Sequence, residues 1–354
     1  MAPRDQGPHG GAPGSGGAAL IVSATGYIGL FVADACLASG RKTCVLVRPG
    51  NPRPSRAAAV DALRHKGAVV VEGRLDAVEA MLRAHGVEVV ISVMGGASIL
   101  DQLRLVDAVR AAGTVKRATA VSAVGVRARR GPRAASGRGA RVLRGEAACA
   151  AGGGGVGRAV HLHGYIYCNS TAGWPYFDNM HPSEVPPPLD RFQIYGDGNV
   201  RAFFVAGNDI RKFTVMAAYD PRSANKIVHF RPACNLLSTN EMASLWESKI
   251  GRTLPRVTLS EDDLLAMAAE NIIPASIVAS LTHDIFINGC QTSFPLDGCR
   301  DIEISSLYPD IPLRTVDECF DDYARSLHLE GEAEENKNSN ALAVERLAVP
   351  PTCA

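Results

Sequence analysis

The sequence predicts an α/β protein built on a parallel sheet, and three observations carry the prediction. Short apolar runs alternate with amphipathic segments along the first third of the chain, the signature of consecutive βαβ units. A turn with two glycines, Ser23-Ala-Thr-Gly-Tyr-Ile-Gly29, joins the first apolar run to the first amphipathic segment. The composition, 46% hydrophobic and 21% charged over 354 residues, is that of a globular protein with ample chain for a core. Wholesale disorder and collagen-like repeats are excluded.

The elements follow in order. Residues 18–23 (Ala-Ala-Leu-Ile-Val-Ser) are apolar without alternation, as expected of a strand covered on both faces. Residues 27–39 follow as an amphipathic helix. The pattern then repeats, with strands over 43–48, 68–72 and 88–92 that are rich in Val and Ile, residues that suit a pleated, buried surface. Helical segments over 55–66, 77–85 and 100–112 separate them. In the second half, 226–230 reads as a strand, and 240–250, 260–270 and 274–283 read as helices.

Residues 118–163 break this pattern. They hold ten Gly, twelve Ala and eight Arg but no Lys, Phe, Tyr or Trp. The run Gly152 to Gly155 fits no helix or strand without a large entropic cost. With Glu146 as its one acid, the tract carries +7, so the chain's formal +1 leaves −6 for everything else. Basic tracts of this kind serve as nucleic-acid arms, but at termini or between domains, whereas this one interrupts a half-built sheet. No nucleic-acid partner is expected.

The expected organisation is a disordered leader over 1–17, a dinucleotide-binding domain over 18–165 that contains the tract, a smaller α/β substrate part over 166–328, and a disordered tail over 329–354. The leader lacks an apolar h-region, and no stretch reaches the roughly 18 apolar residues of a bilayer span. A cytoplasmic location without a membrane span is expected. Nine cysteines, an odd number without CxxC spacing, imply free thiols in a reducing compartment. His161 and His163 have no Asp, Glu or Cys cluster beside them, so no metal is expected. The oligomeric state is not legible.

The Ser23–Gly29 turn carries the chemistry. A dinucleotide fingerprint needs glycines where backbone approaches a pyrophosphate and where helix packs closely on sheet, with the helix N-terminus facing the anion. Gly26 and Gly29 fill two of the three places and Ser23 stands at the first. Candidate cofactor residues are therefore Ser23, Thr25, Gly26, Tyr27, Ile28 and Gly29. At the end of the second strand, where an acid would suit a ribose hydroxyl, stands Arg48, with Arg56 eight residues on. Guanidinium groups clamp a 2′-phosphate, which favours NADPH over NADH. Ser92, at the end of the fourth strand, and Asn169 are further candidates, Asn169 either facing the nicotinamide or capping backbone.

These residues resemble a known family. Ala24-Thr-Gly-Tyr-Ile-Gly29 with Leu46-Val-Arg-Pro-Gly50 and Pro54-Ser-Arg56 is similar to the isoflavone-reductase-like branch of the NmrA-like atypical short-chain dehydrogenases. Ile166-Tyr-Cys-Asn169, Trp174-Pro-Tyr-Phe177, Phe192-Gln-Ile-Tyr-Gly-Asp-Gly198 and Thr282-His-Asp-Ile-Phe-Ile287 resemble the leucoanthocyanidin reductases. Of that family's three marker motifs, Thr-His-Asp is intact at 282–284 and Ile-Cys-Cys-Asn appears as Ile166-Tyr-Cys-Asn169. The third, Arg-Phe-Leu-Pro, stops after Arg117, where Ala118-Thr-Ala120 follows. The resemblance covers 18–117 and 164–325.

The resemblance implies a Rossmann fold and NADPH-dependent reduction of a small flavonoid, a leucoanthocyanidin, to a flavan-3-ol such as catechin, in proanthocyanidin synthesis. Isoflavone and phenylcoumaran benzylic ether reductions are the sister activities. It also implies a phenol-activating base, a Lys with a nearby Tyr and His, in the segment that the tract replaces. Deprotonating the phenol expels the benzylic hydroxyl as water and leaves a quinone methide, which accepts hydride. None of these residues is matched, because no Lys or Tyr occurs between Lys116 and Tyr165. No catalytic residue is assigned. Ala123 to Gly131 and Val142 to Cys149 agree with an out-of-frame reading of GC-rich codons for family-like sequence, so 118–163 reads as a frame-shifted segment. Two outcomes are expected to compete: an active reductase, or an NADPH-binding chain with impaired catalysis. Loss of a central strand and its following helix is the expected structural consequence.

Overall fold

The computed structural model describes residues 17–50, 54–94, 98, 101–122, 160–165, 189–270, 272, 275–299 and 301–327. Residues 1–16 of the expected leader, the tail over 329–354, the interior of the Gly/Ala/Arg tract, Asn169 and the Trp174–Phe177 cluster lie outside them.

Eight parallel strands form the main sheet: β1 (Ala18–Val22), β2 (Thr43–Val47), β3 (Val69–Glu72), β4 (Val87–Ser92), β5 (Arg117–Ser122), β6 (Val160–Tyr165), β9 (Ile227–His229) and β12 (Asp301–Glu303). Their order is β3-β2-β1-β4-β5-β6-β9-β12. Four helices connect the first five strands: α1 (Tyr27–Ala38), α2 (Pro54–His65), α3 (Val78–Ala84) and α4 (Asp101–Ala112). β1 is buried at all five positions, which is why its sequence shows no polar alternation. Its side chains still alternate between faces. Ile21 packs with Val45, Ile91 and Val32 of α1, whereas Leu20 and Val22 pack with Val90, Leu82 of α3 and Leu105 of α4.

The second half returns β9 and β12 to this sheet and lays α5 (Gly207–Tyr219) against α1. It also builds two small sheets. β7 (Phe192–Tyr195) pairs in parallel with β11 (Arg256–Leu259), and β8 (Arg201–Phe203) pairs antiparallel with β10 (Leu236–Ser238). Helices α6 (Thr239–Ile250), α7 (Glu261–Ala269), α8 (Ala275–Phe286), the single turn α9 (Ile304–Leu307) and α10 (316–327) complete the described chain. An aromatic core of Phe192, Tyr195, Phe204, Trp246, Phe286 and Phe320 holds most of this part together. The α6 and α7 starts are fixed by capping boxes, Ser238 with Glu241 and Ser260 with Asp263, each satisfying two otherwise orphaned backbone donors.

The sheet departs from expectation at the tract. Ala118 to Ser122 complete β5, Val160 to His163 begin β6, and the two strands pair from Arg117↔Val160 to Ser122↔Tyr165. No strand is lost at either end of the tract. A parallel ladder is made by backbone groups, so it tolerates altered side chains that include no Pro and keep some β-branched residues, here Thr119, Val121 and Val160. Among the described residues no helix is long and apolar enough to cross a membrane.

Candidate cofactor site at the carboxyl ends of the strands

β1 lies between β2 and β4, so the chain's path through the sheet reverses direction there. Open α/β sheets collect ligands at such a point, outside the carboxyl ends of the strands. A cavity of about 590 Å³ occupies this position. Val22, Ser23, Thr25 and Gly26 line it from the β1–α1 turn, Val47 and Arg48 from the end of β2, Gly73 to Asp76 from the end of β3, and Val93 and Met94 from the end of β4.

The β1–α1 turn is shaped for close approach. Ser23 adopts φ +65°, the left-handed conformation that glycine accepts without strain; this is the place where the fingerprint carries its first glycine. The Gly26 amide donates to the Ser23 carbonyl at 3.0 Å, and α1 begins with Leu30 donating to the Gly26 carbonyl at 2.9 Å. A Cβ on Gly29 would lie 2.1 Å from that same Ser23 oxygen. Helix and turn are therefore in contact through a position that only glycine fills. α1 has no side-chain cap on Gly26 and no acidic residue in its first turn, so its leading amides and positive dipole end face the cavity without an internal anion. A pyrophosphate fits this cradle.

Cations surround the rest. Arg48 donates from Nη2 to Ser98 Oγ at 3.0 Å, Arg56 stands in the first turn of α2, and Arg74 follows β3. Arg104 of α4 also lines the cavity but is paired with Asp76. Arg74, Asp76, Ser98 and Arg104 had no recognisable signal in the sequence, because they follow strands and turns without a motif of their own.

Of the sequence candidates, Ser23, Thr25, Gly26, Arg48 and Arg56 line one cavity. Ile28 and Gly29 sit behind the turn. Ser92 is buried at the end of β4, its Oγ without a hydrogen-bond partner among the described residues, while its neighbours Val93 and Met94 face the cavity. The Tyr27 side chain and Asn169 lie outside the described residues.

The Thr282-His-Asp284 motif lies on α8, and all three residues are buried. Asn288 Nδ2 donates to Asp284 Oδ1 at 3.1 Å and to His283 Nδ1 at 3.2 Å. His283 Nδ1 is thus an acceptor, which leaves Nε2–H to donate to Glu261 Oε1 at 2.9 Å. The motif ties the end of α8 to the start of α7 and to the following turn. Burial holds the Asp284 carboxyl above the usual carboxylate range. Burial also pushes the Cys36 and Cys290 thiols up to about 12, so neither is a thiolate nucleophile at neutral pH. Among the described residues no group of three or more His, Cys, Asp or Glu is arranged to hold a metal.

A parallel sheet with an open helix N-terminus and a cationic cavity at its reversal point defines a dinucleotide-binding protein of the Rossmann class. Residues 17–131 and 175–320 match the NmrA-like family. The chain belongs to that family, in its branch of plant benzylic and isoflavone-type reductases. It is 48% identical over 320 residues to leucoanthocyanidin reductase of Desmodium uncinatum, covering 87% of this chain and 80% of that protein. It is 36% identical over 311 residues to phenylcoumaran benzylic ether reductase IRL1 of Ginkgo biloba, covering 86% and 98%. A solved leucoanthocyanidin reductase–NADPH binary complex from Vitis vinifera superposes with a TM-score of 0.77 at 49% identity, covering 87% of this chain and 99% of that one. The unmatched stretch between the two family segments, 132–174, falls in the tract and just beyond it.

Proposed function

We propose that the chain is an NADPH-dependent oxidoreductase of the leucoanthocyanidin reductase type, converting a flavan-3,4-diol to a flavan-3-ol. The observation that carries this reading is the convergence of the uncapped Gly26–Gly29 helix start and the Arg48 and Arg56 guanidiniums on one cavity, in a chain nearly half identical to a leucoanthocyanidin reductase. The backbone amides of Thr25 and of Tyr27 to Gly29 hold the pyrophosphate, with Ser23 and the Gly26 amide that donates to its carbonyl shaping the turn. Arg48 and Arg56 hold the 2′-phosphate. Val93 and Met94, which line the cavity from the end of β4, face the nicotinamide in this reading, and residues 166–328 supply the flavonoid-binding part. NADPH, when bound, supplies a hydride; in this reading the substrate gains that hydride and a proton and loses its benzylic hydroxyl as water.

The test is a titration of the purified chain with NADPH, followed by incubation with leucocyanidin and chromatographic detection of catechin. Saturable NADPH binding with catechin formation supports the whole reading. Binding without product supports the cofactor half alone, in line with the absence of Lys and Tyr between Lys116 and Tyr165. Absence of NADPH binding sinks it.

A further inference from the structure

We infer that Arg74 is a third phosphate-reading residue, one that approaches the cofactor's adenosine end from β3 and sharpens selection for a 2′-phosphorylated dinucleotide. This rests on the proposed NADPH reading of the same cavity. Placement is the first support. β2 and β3 pair in parallel up to Val47↔Glu72, and the Gly73 amide donates to the Val47 carbonyl at 3.0 Å. Arg48 and Arg74 therefore leave the sheet from adjoining strand ends, and both line the cavity together with Arg56.

Charge is the second support. The cavity's lining includes two carboxylates, Asp76 and Asp101. Asp76 is already engaged by Arg104, and Asp101 stands in the first turn of α4, where the dipole favours it. Among the described residues no carboxylate pairs with Arg48, Arg56 or Arg74. Three like charges gathered around one concave space repel one another, and a dianionic phosphate relieves that repulsion through charge-assisted hydrogen bonds. A nucleotide lacking the 2′-phosphate offers the three groups nothing comparable. Arg74 sits in extended backbone, φ −98° and ψ 164°, ahead of a short 3-10 turn that starts at Leu75.

The experiment compares wild type with Arg74→Ala and Arg74→Lys by fluorescence titration with NADPH and NADH, and by competition with 2′,5′-ADP and 5′-ADP. Binding readouts are used so that the result does not depend on turnover. Arg74→Ala is expected to weaken NADPH and 2′,5′-ADP by about tenfold, the scale of one charge-assisted hydrogen bond, with NADH and 5′-ADP nearly unchanged. Arg74→Lys is expected to recover part of the loss, since charge is kept and the bidentate fork is not. An equal loss for both nucleotide pairs, or no loss at all, overturns the proposal. A wild-type chain that binds neither NADPH nor 2′,5′-ADP overturns the underlying cofactor reading instead. Unfolding midpoints matching wild type establish that the variants are folded.

Discussion

Gly29→Ala perturbs the site through a single methyl group. The added Cβ would lie 2.1 Å from the Ser23 carbonyl oxygen and 2.9 Å from Ala24 Cα, whereas side-chain Cβ atoms essentially never come within 3.0 Å of such neighbours. Both obstructing atoms are backbone, so no side chain can rotate away. The turn and α1 must separate by about 1 Å, an overpacking strain of about 1–3 kcal/mol. Ala is a better helix former than Gly by up to about 1 kcal/mol, which offsets only part of that strain. The net expectation is a loss of about 1–2 kcal/mol of stability. The same displacement shifts the leading amides of α1 relative to the cavity, and under the proposed pyrophosphate role about tenfold weaker NADPH binding is expected, which corresponds to 1.4 kcal/mol. The assay is urea unfolding followed by circular dichroism, paired with NADPH titration. Gly40→Ala is the control: its φ is +72° with nothing within 4 Å, so it is expected to cost stability through backbone strain and leave NADPH affinity intact. A Gly29→Ala chain with wild-type midpoint and wild-type affinity would refute the contact between helix and turn as the reason for this glycine.

Other outcomes follow from the same structure. Ser23→Gly removes a left-handed strain on an L-residue (φ +65°), and is expected to be neutral or stabilising by under about 1 kcal/mol, since glycine's added unfolded-state freedom opposes the gain; a clear drop in Tm would contradict it. Phe286 is fully buried, with ring centroids 5.3 Å from Tyr195 and 6.3 Å from Phe204. Phe286→Ala is expected to cost about 3–5 kcal/mol, visible as a large fall in urea midpoint. Because burial raises the Asp284 carboxyl, the folded chain retains a proton that the unfolded chain releases. This group's contribution to stability therefore declines as pH rises from the ordinary aspartate range through the raised value. Asp284→Asn is expected to flatten that part of the profile, and unfolding midpoints across acid to neutral pH check it; an unchanged slope would argue against the assignment. His283→Ala is expected to cost about 1–3 kcal/mol through the lost bridge to Glu261 and Asn288, with NADPH binding unaltered because neither α7 nor α8 lines the cavity.

Much of the first half was legible because local rules and tertiary demand agree there. Continuous apolar runs such as Ala18–Val22 are buried on both sides of a parallel sheet, and the Ser23–Gly29 turn announces both its conformation and its ligand class. Arg48 and Arg56 were legible for a similar reason, standing a fixed distance from that turn at the end of the second strand. Where residues act through partners remote in sequence, the chain alone was silent. Arg74 and Arg104 reach the cavity only because β3 and α4 are folded around it, and Ser92 is turned into the core while its neighbours take the lining position. His283 and Asp284 were visible as a motif, but their union with Glu261 and Asn288 depends on how α7 and α8 pack. The Gly/Ala/Arg tract shows the same division from the other side. Its composition disagrees with every local pattern of the chain, yet its two ends lie in the sheet as β5 and β6, because a parallel ladder is held by backbone groups common to all residues. Sequence by itself thus determined the sheet's periodicity, the glycine-containing turn after the first strand and the cofactor class. Only the tertiary structure decided which distant side chains share one cavity, since that is fixed by strand order and packing rather than by spacing along the chain.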